Sequence, residues 1–139
     1  MKILYLALLL IAFILFCRIT VILNDKYWEI RNCSVKVKAK HEGFKRKEYS
    51  KSKGAYYMVV SYDYDDRAYK TCLLDDYPLR FFAKRASKGD QEVYIDPKHP
   101  GRAVLFRKRI LFGLNVKRIV TWILVFASLG GFTYILFYM

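Results

Sequence analysis

The chain has 139 residues, 55% hydrophobic and 27% charged, with a net charge of +13, and its length fits one domain with appended segments. Charge is segregated: residues 3 to 17 and 119 to 139 carry none, whereas residues 24 to 118 hold 23 of the 25 Lys and Arg and all 12 Asp and Glu. This excludes a plain soluble globule, a disordered polymer and a collagen-like fibre.

Residues 1 to 23 read as a first transmembrane helix. The apolar run Ile3 to Cys17 continues past Arg18 to Leu23, and 21 residues at about 1.5 Å each span the hydrocarbon core of a bilayer. Arg18 lies near the end of the run, where its long side chain reaches the headgroups. No A-x-A-like cleavage site follows, and Phe16 before Cys17 does not fit a lipoprotein signal, so an uncleaved anchor is expected.

Residues 24 to 118 form a basic middle whose periodicity is mostly two. Val35, Val37 and Ala39 alternate with Lys36, Lys38 and Lys40, as in a half-buried strand. Phe44 to Gly54 is polar and ends in glycine, so it is expected to be a solvated loop. Ala55 to Tyr64 and Arg67 to Cys72 form a hairpin across Asp65-Asp66. A short helix follows: Pro78 opens it, Leu79, Phe82, Ala83 and Ala86 share a face, and Gly89 closes it. Gln91 to Ile95 and Arg102 to Phe106 are two further strands joined through Asp96-Pro97-Lys98-His99-Pro100-Gly101.

Residues 104 to 118 are expected to lie at the membrane surface, with Arg107, Lys108, Arg109, Lys117 and Arg118 as headgroup ligands. Residues 119 to 139 then read as a second transmembrane helix, with Trp122, Tyr134 and Tyr138 towards its ends. Ala127 and Gly131 are spaced to admit a close helix neighbour, the first helix being the nearest candidate. The expected fold class is therefore a membrane α+β protein: two transmembrane helices flank about five strands, forming a sheet or partly closed barrel, with one short helix.

The run Gly89-Asp90-Gln91-Glu92-Val93-Tyr94-Ile95-Asp96-Pro97-Lys98-His99-Pro100 precedes a terminal apolar span. It resembles the G-D-x-x-V-Y-x-D-P-x-x-P signature of a family of small, mostly bacterial two-helix membrane proteins of unknown function. Tyr56 to Tyr62 and Tyr69 resemble that family's aromatic strand and later tyrosine. His99 departs from the more usual Asn, and the basic stretch at 44 to 54 has no counterpart in the pattern. The resemblance implies a β-rich domain between two helices and brings no activity with it. Asp96, Pro97 and Pro100 read as a stiff structural turn: Asp96 accepts backbone N–H groups, and the prolines fix φ and remove donors.

Chemistry-bearing constellations are sparse. His41 and His99 are the two histidines, and Cys17, Cys33 and Cys72 show no C-x-x-C spacing, so no zinc site, other metal or cofactor is expected. Cys33 and Cys72 would pair only in an oxidising compartment. Asp63, Asp65 and Asp66 fail as a calcium loop, because Ala68 and Leu74 stand where Gly and Glu are needed. No phosphate loop or nucleophile elbow occurs. The expectation is a non-enzymatic module that holds a basic β domain at the bilayer, with lipid and another protein as partners and no nucleic acid. An immunity-type protein against a bacterial toxin and an accessory subunit of a membrane complex are the alternatives. The cations flanking both spans place the middle on the cytoplasmic side of a bacterial inner membrane, with both termini opposite.

Overall fold

The computed structural model describes residues 1–50, 53–75 and 90–138. The chain divides into two compact units: Met1–Trp28 with Leu111–Met139, and Glu29–Ile110.

The first unit is helical. Helix α1 spans Lys2–Asn32 and helix α2 spans Arg107–Tyr138, and both are long and apolar enough to cross a membrane. Each outruns its uncharged run, because hydropathy marks a span rather than the end of a helix. Asn24 to Asn32 contains no Gly or Pro to stop α1, and the strongly charged stretch from Arg107 to Arg118 is already helical. The helices are antiparallel: Lys2 Nζ donates to Leu136 O at 3.4 Å, and a Cβ on Gly131 would meet the Leu9 methyls at 3.6 and 3.7 Å. Leu114, Thr121, Val125 and Ser128 form the buried stripe of α2, at the spacing of a packed helix seam. Ala127 is exposed, so the small residues on the packed side are Ser128 and Gly131. Buried hydroxyls are satisfied within their own helices, Thr20 on Phe16 O, Thr121 on Arg118 O and Ser128 on Val125 O.

The second unit is a five-stranded antiparallel sheet: β1 Val35–Ser50, β2 Lys53–Tyr64, β3 Arg67–Cys72, β4 Gln91–Asp96 and β5 His99–Val104. The order is β3-β2-β1-β4-β5, and the two outer strands approach each other, with Leu74 N donating to Ala103 O at 2.8 Å. Strands β3 and β5 run parallel, since each intervening pair is antiparallel, and the result is a partly closed barrel. The long first strand makes this possible. Its start, Val35 to Ala39, pairs with β4, and from Lys40 onward it pairs with β2. Just past the exchange the register skips Glu42, and Gly43 takes φ +135°, so β1 bends from one partner to the next.

The stretch from Phe44 to Gly54, expected as a loop, is strand over Phe44 to Ser50 and Lys53 to Gly54, with Ser50 opposite Lys53. Its polar residues hide the period. Pairing is imposed by β2, whose Met58 and Val60 are fully buried in the core with Ala39, Tyr62, Leu73, Val93, Ile95, Ala103 and Leu105. The hairpin across Asp65-Asp66 forms as expected, Tyr64 opposite Arg67, and both aspartates adopt positive φ, 53° and 60°, as a two-residue I′ turn demands. Strand β5 begins at His99, three residues ahead of the expected Arg102, so only Pro97 and Lys98 remain in the turn. The helix expected over Pro78 to Gly89 lies outside the described residues.

Replacing Asp66 by Gly should raise the thermal midpoint of the β unit, because a left-handed backbone costs an L residue up to about 1 kcal/mol that Gly avoids. Near-ultraviolet circular dichroism of the protein in micelles reads the shift, and an unchanged or lower midpoint would contradict the strain.

Candidate functional site

The functional geometry gathers at the root of α2. Asp75, just beyond β3, is fully buried. Its Oδ1 accepts from Leu105 N at 2.6 Å and its Oδ2 from Phe106 N at 2.7 Å. Together with the Leu74–Ala103 bond, this carboxylate stitches the end of β3 to the end of β5. The two N–H groups directly precede Arg107, so the negative charge also sits at the positive end of the α2 dipole. The first turn of α2 holds no acid of its own. Burial pushes the Asp75 carboxyl up to about 6, against the downward pull of its backbone bonds.

The three cations that open α2 have separate fates. Arg107 is half-buried, donates through Nη2 to Arg31 O at 3.0 Å and lies 5.7 Å from the Tyr94 ring centroid. It thereby satisfies a carbonyl in the last turn of α1. Lys108 and Arg109 are exposed. Farther along α2, Lys117 is exposed, whereas the Arg118 guanidinium packs over the Tyr27 ring at 4.2 Å. The five cations named from sequence thus separate into two, Arg107 and Arg118, engaged with α1 residues, and three presented to the surroundings.

Neighbouring charges are largely paired. Lys36 Nζ meets Glu92 at 3.1 Å, which holds the lysine above its ordinary range, and Arg102 meets Glu29 at 3.5 Å. In the turn, Asp96 Oδ1 accepts from Lys98 N at 2.9 Å and Oδ2 faces His99 Nδ1 at 3.2 Å. Burial raises the Asp96 carboxyl, but the bonds from Lys98 and His99 outweigh it and leave it below the usual range. The Tyr62 hydroxyl donates to Pro100 O, tying the same turn to the core, and burial pushes that phenol up to about 12. Asp96 thus ends β4 and Pro100 lies in β5, while Pro97 is exposed in the turn between them. Cys33 is buried, its Sγ donates to Glu29 O at 3.4 Å, and burial with the nearby Asp96 and Glu29 charges lifts the thiol to about 11. Cys17, Cys33 and Cys72 are all thiols.

Asp75 is the residue that sequence reasoning missed. Nothing local marks a side chain whose partners lie 30 and 31 residues away. A groove of about 370 Å³ opens where β1 leaves β2, lined by Lys38, Lys40, Ser61, Asp63, Tyr69 and Asp90, with both signs of charge and no constellation for acid–base work. Among the described residues no group of three metal-ligating side chains converges. In this chain the apolar helix α1 is followed directly by a small basic barrel, and the barrel by α2. Compared with protein-family models, curated proteins and solved structures, the chain matches none.

Asp75 gives a signed pH dependence. A folded-state value raised above 3.8 means that the native state binds the proton more tightly. Its contribution is fully present below about 3.8 and is lost as pH rises through about 6. Between pH 7.5 and 5 the wild-type midpoint should therefore rise relative to that of Asp75→Asn, by at most a few kcal/mol in stability. Parallel curves for the two proteins would refute the buried charge. Asn also accepts through a single oxygen and leaves either Leu105 N or Phe106 N unmatched, so Asp75→Asn should lower the midpoint at pH 5.

Proposed function

We propose that this protein is a non-enzymatic, two-pass membrane module that holds a basic β barrel at the bilayer surface of a bacterial inner membrane, where it engages anionic lipid and another protein. The observation that supports this most is the exposure of Lys108 and Arg109 in the first turn of α2. Each adds its charge to the positive end of a helix, an arrangement that favours an anion outside the protein. A cation near an anionic leaflet contributes about 1 kcal/mol of attraction, and Lys117 on the same helix adds a third. The likeness of Gly89 to Pro100 to the two-helix family signature agrees with this role and adds no activity.

Changing Lys108 and Arg109 to Gln should reduce the anionic phospholipid that co-purifies with the full chain several-fold and abolish its enrichment over neutral lipid. Arg107→Gln should instead lower thermal stability, because the hydrogen bond to Arg31 O and the guanidinium contact with the Tyr94 ring are lost. Equal retention of neutral and anionic lipid by the wild type would defeat the lipid reading.

The cytoplasmic side for the barrel is proposed from the excess of Lys and Arg that flank the spans. Paired reporters fused after Met139, one active only outside the cytoplasm and one only inside, should report activity outside. Activity inside would place the barrel outside and favour the immunity-type reading.

A further inference from the structure

The hairpin that sequence reading takes as a loop is a basic ribbon with one side unpaired among the described residues. Strand β1 has β4 beside it from Val35 to Ala39 and β2 from Lys40 to Ser50. Strand β2 has β3 beside it from Val59 onward, with one more bond from Leu73 N to Met58 O. Among the described residues, the stretch from Phe44 to Ser50 therefore has a strand neighbour on one side and none on the other. Residues 44 to 53 hold Lys45, Arg46, Lys47, Lys51 and Lys53 against Glu48, five positive charges to one negative. These charges concentrate on β1, since Lys45 and Arg46 stand opposite Tyr57 and Tyr56. Lys45 and Arg46 are exposed, with Arg46 6.0 Å from the Tyr56 ring centroid.

An open strand edge pairs with extended backbone, and the side chains beside it select which backbone. Like charge repels a second copy of this ribbon, the ordinary protective use of lysine on an edge. An acidic strand meets the opposite condition: its backbone completes the ladder while its carboxylates answer Lys45 on one face or Arg46 on the other. We propose that the β1 edge from Phe44 to Ser50 is a docking site for an extended, Asp- or Glu-rich segment of a partner protein, added as a further strand. This names the kind of protein partner in the binding-module reading, on which it rests.

The test uses the full chain in micelles with two fluorescent peptides of equal charge, about five Glu-Val repeats and about five Glu-Pro repeats, because proline cannot donate to a ladder. The Glu-Val peptide should bind at least about tenfold more tightly than the Glu-Pro peptide, and should slow amide exchange between residues 44 and 48. Lys45→Glu with Arg46→Glu should weaken it by at least about tenfold, and the milder Lys45→Gln with Arg46→Gln by less. Unchanged near-ultraviolet circular dichroism in either pair shows that the barrel is intact. Equal binding of the two peptides, insensitivity to both double variants, or tighter binding of a single-stranded oligonucleotide would each overturn the proposal. Replacing Lys108 and Arg109 by Gln should leave Glu-Val binding unchanged, so failure of the lipid reading and failure of this one are told apart.

Discussion

The β unit depends on one buried carboxylate. Antiparallel pairing alone produces an open five-stranded sheet, and its two outer strands run parallel, an arrangement that no short turn can join. Asp75 supplies the missing closure by taking two consecutive N–H groups, Leu105 and Phe106, beside the backbone bond from Leu74 to Ala103. Desolvation opposes the ionised form, and the two short charge-assisted bonds offset it only in part, so the carboxyl stays raised to about 6. Because those donors stand where strand gives way to helix, the same carboxylate closes the sheet and fixes the first turn of α2.

Basic residues, which dominate the composition, do several different jobs. Arg107 completes the end of α1, Arg118 covers Tyr27, and Lys36 and Arg102 neutralise Glu92 and Glu29. Among the exposed cations, Lys108 and Arg109 sit together at the root of α2, and Lys45 and Arg46 sit together on the ribbon. A net charge of +13 therefore says little about partners until the internally engaged cations are set aside.

Much of the architecture was legible where the local pattern and the environment agree. Val93 and Ile95 face the core and Tyr94 does not, as alternation requires, and Asp65-Asp66 carries its own turn chemistry. The reading failed where an element takes its form from a partner distant in sequence. Lys45 to Ser50 contains no apolar alternation and becomes strand because β2 lies against it. Asn24 to Asn32 continues as helix although its charges end the apolar run. At the candidate site, sequence marked the cations but not which were engaged, since Arg31 O, Tyr94 and Tyr27 lie far from Arg107 and Arg118 along the chain. Asp75 was invisible for the same reason.

The pairing of β1 with β4 joins Val35 to Ile95 and so imposes an order on synthesis. The hairpin of β2 and β3 assembles from neighbouring residues as soon as it leaves the ribosome, while Val35, Val37 and Ala39 wait for a strand not yet made. The final stitch needs Leu105 and Phe106, the residues that directly precede α2 in the chain. Closure of the barrel therefore waits until the chain has been made as far as the start of α2.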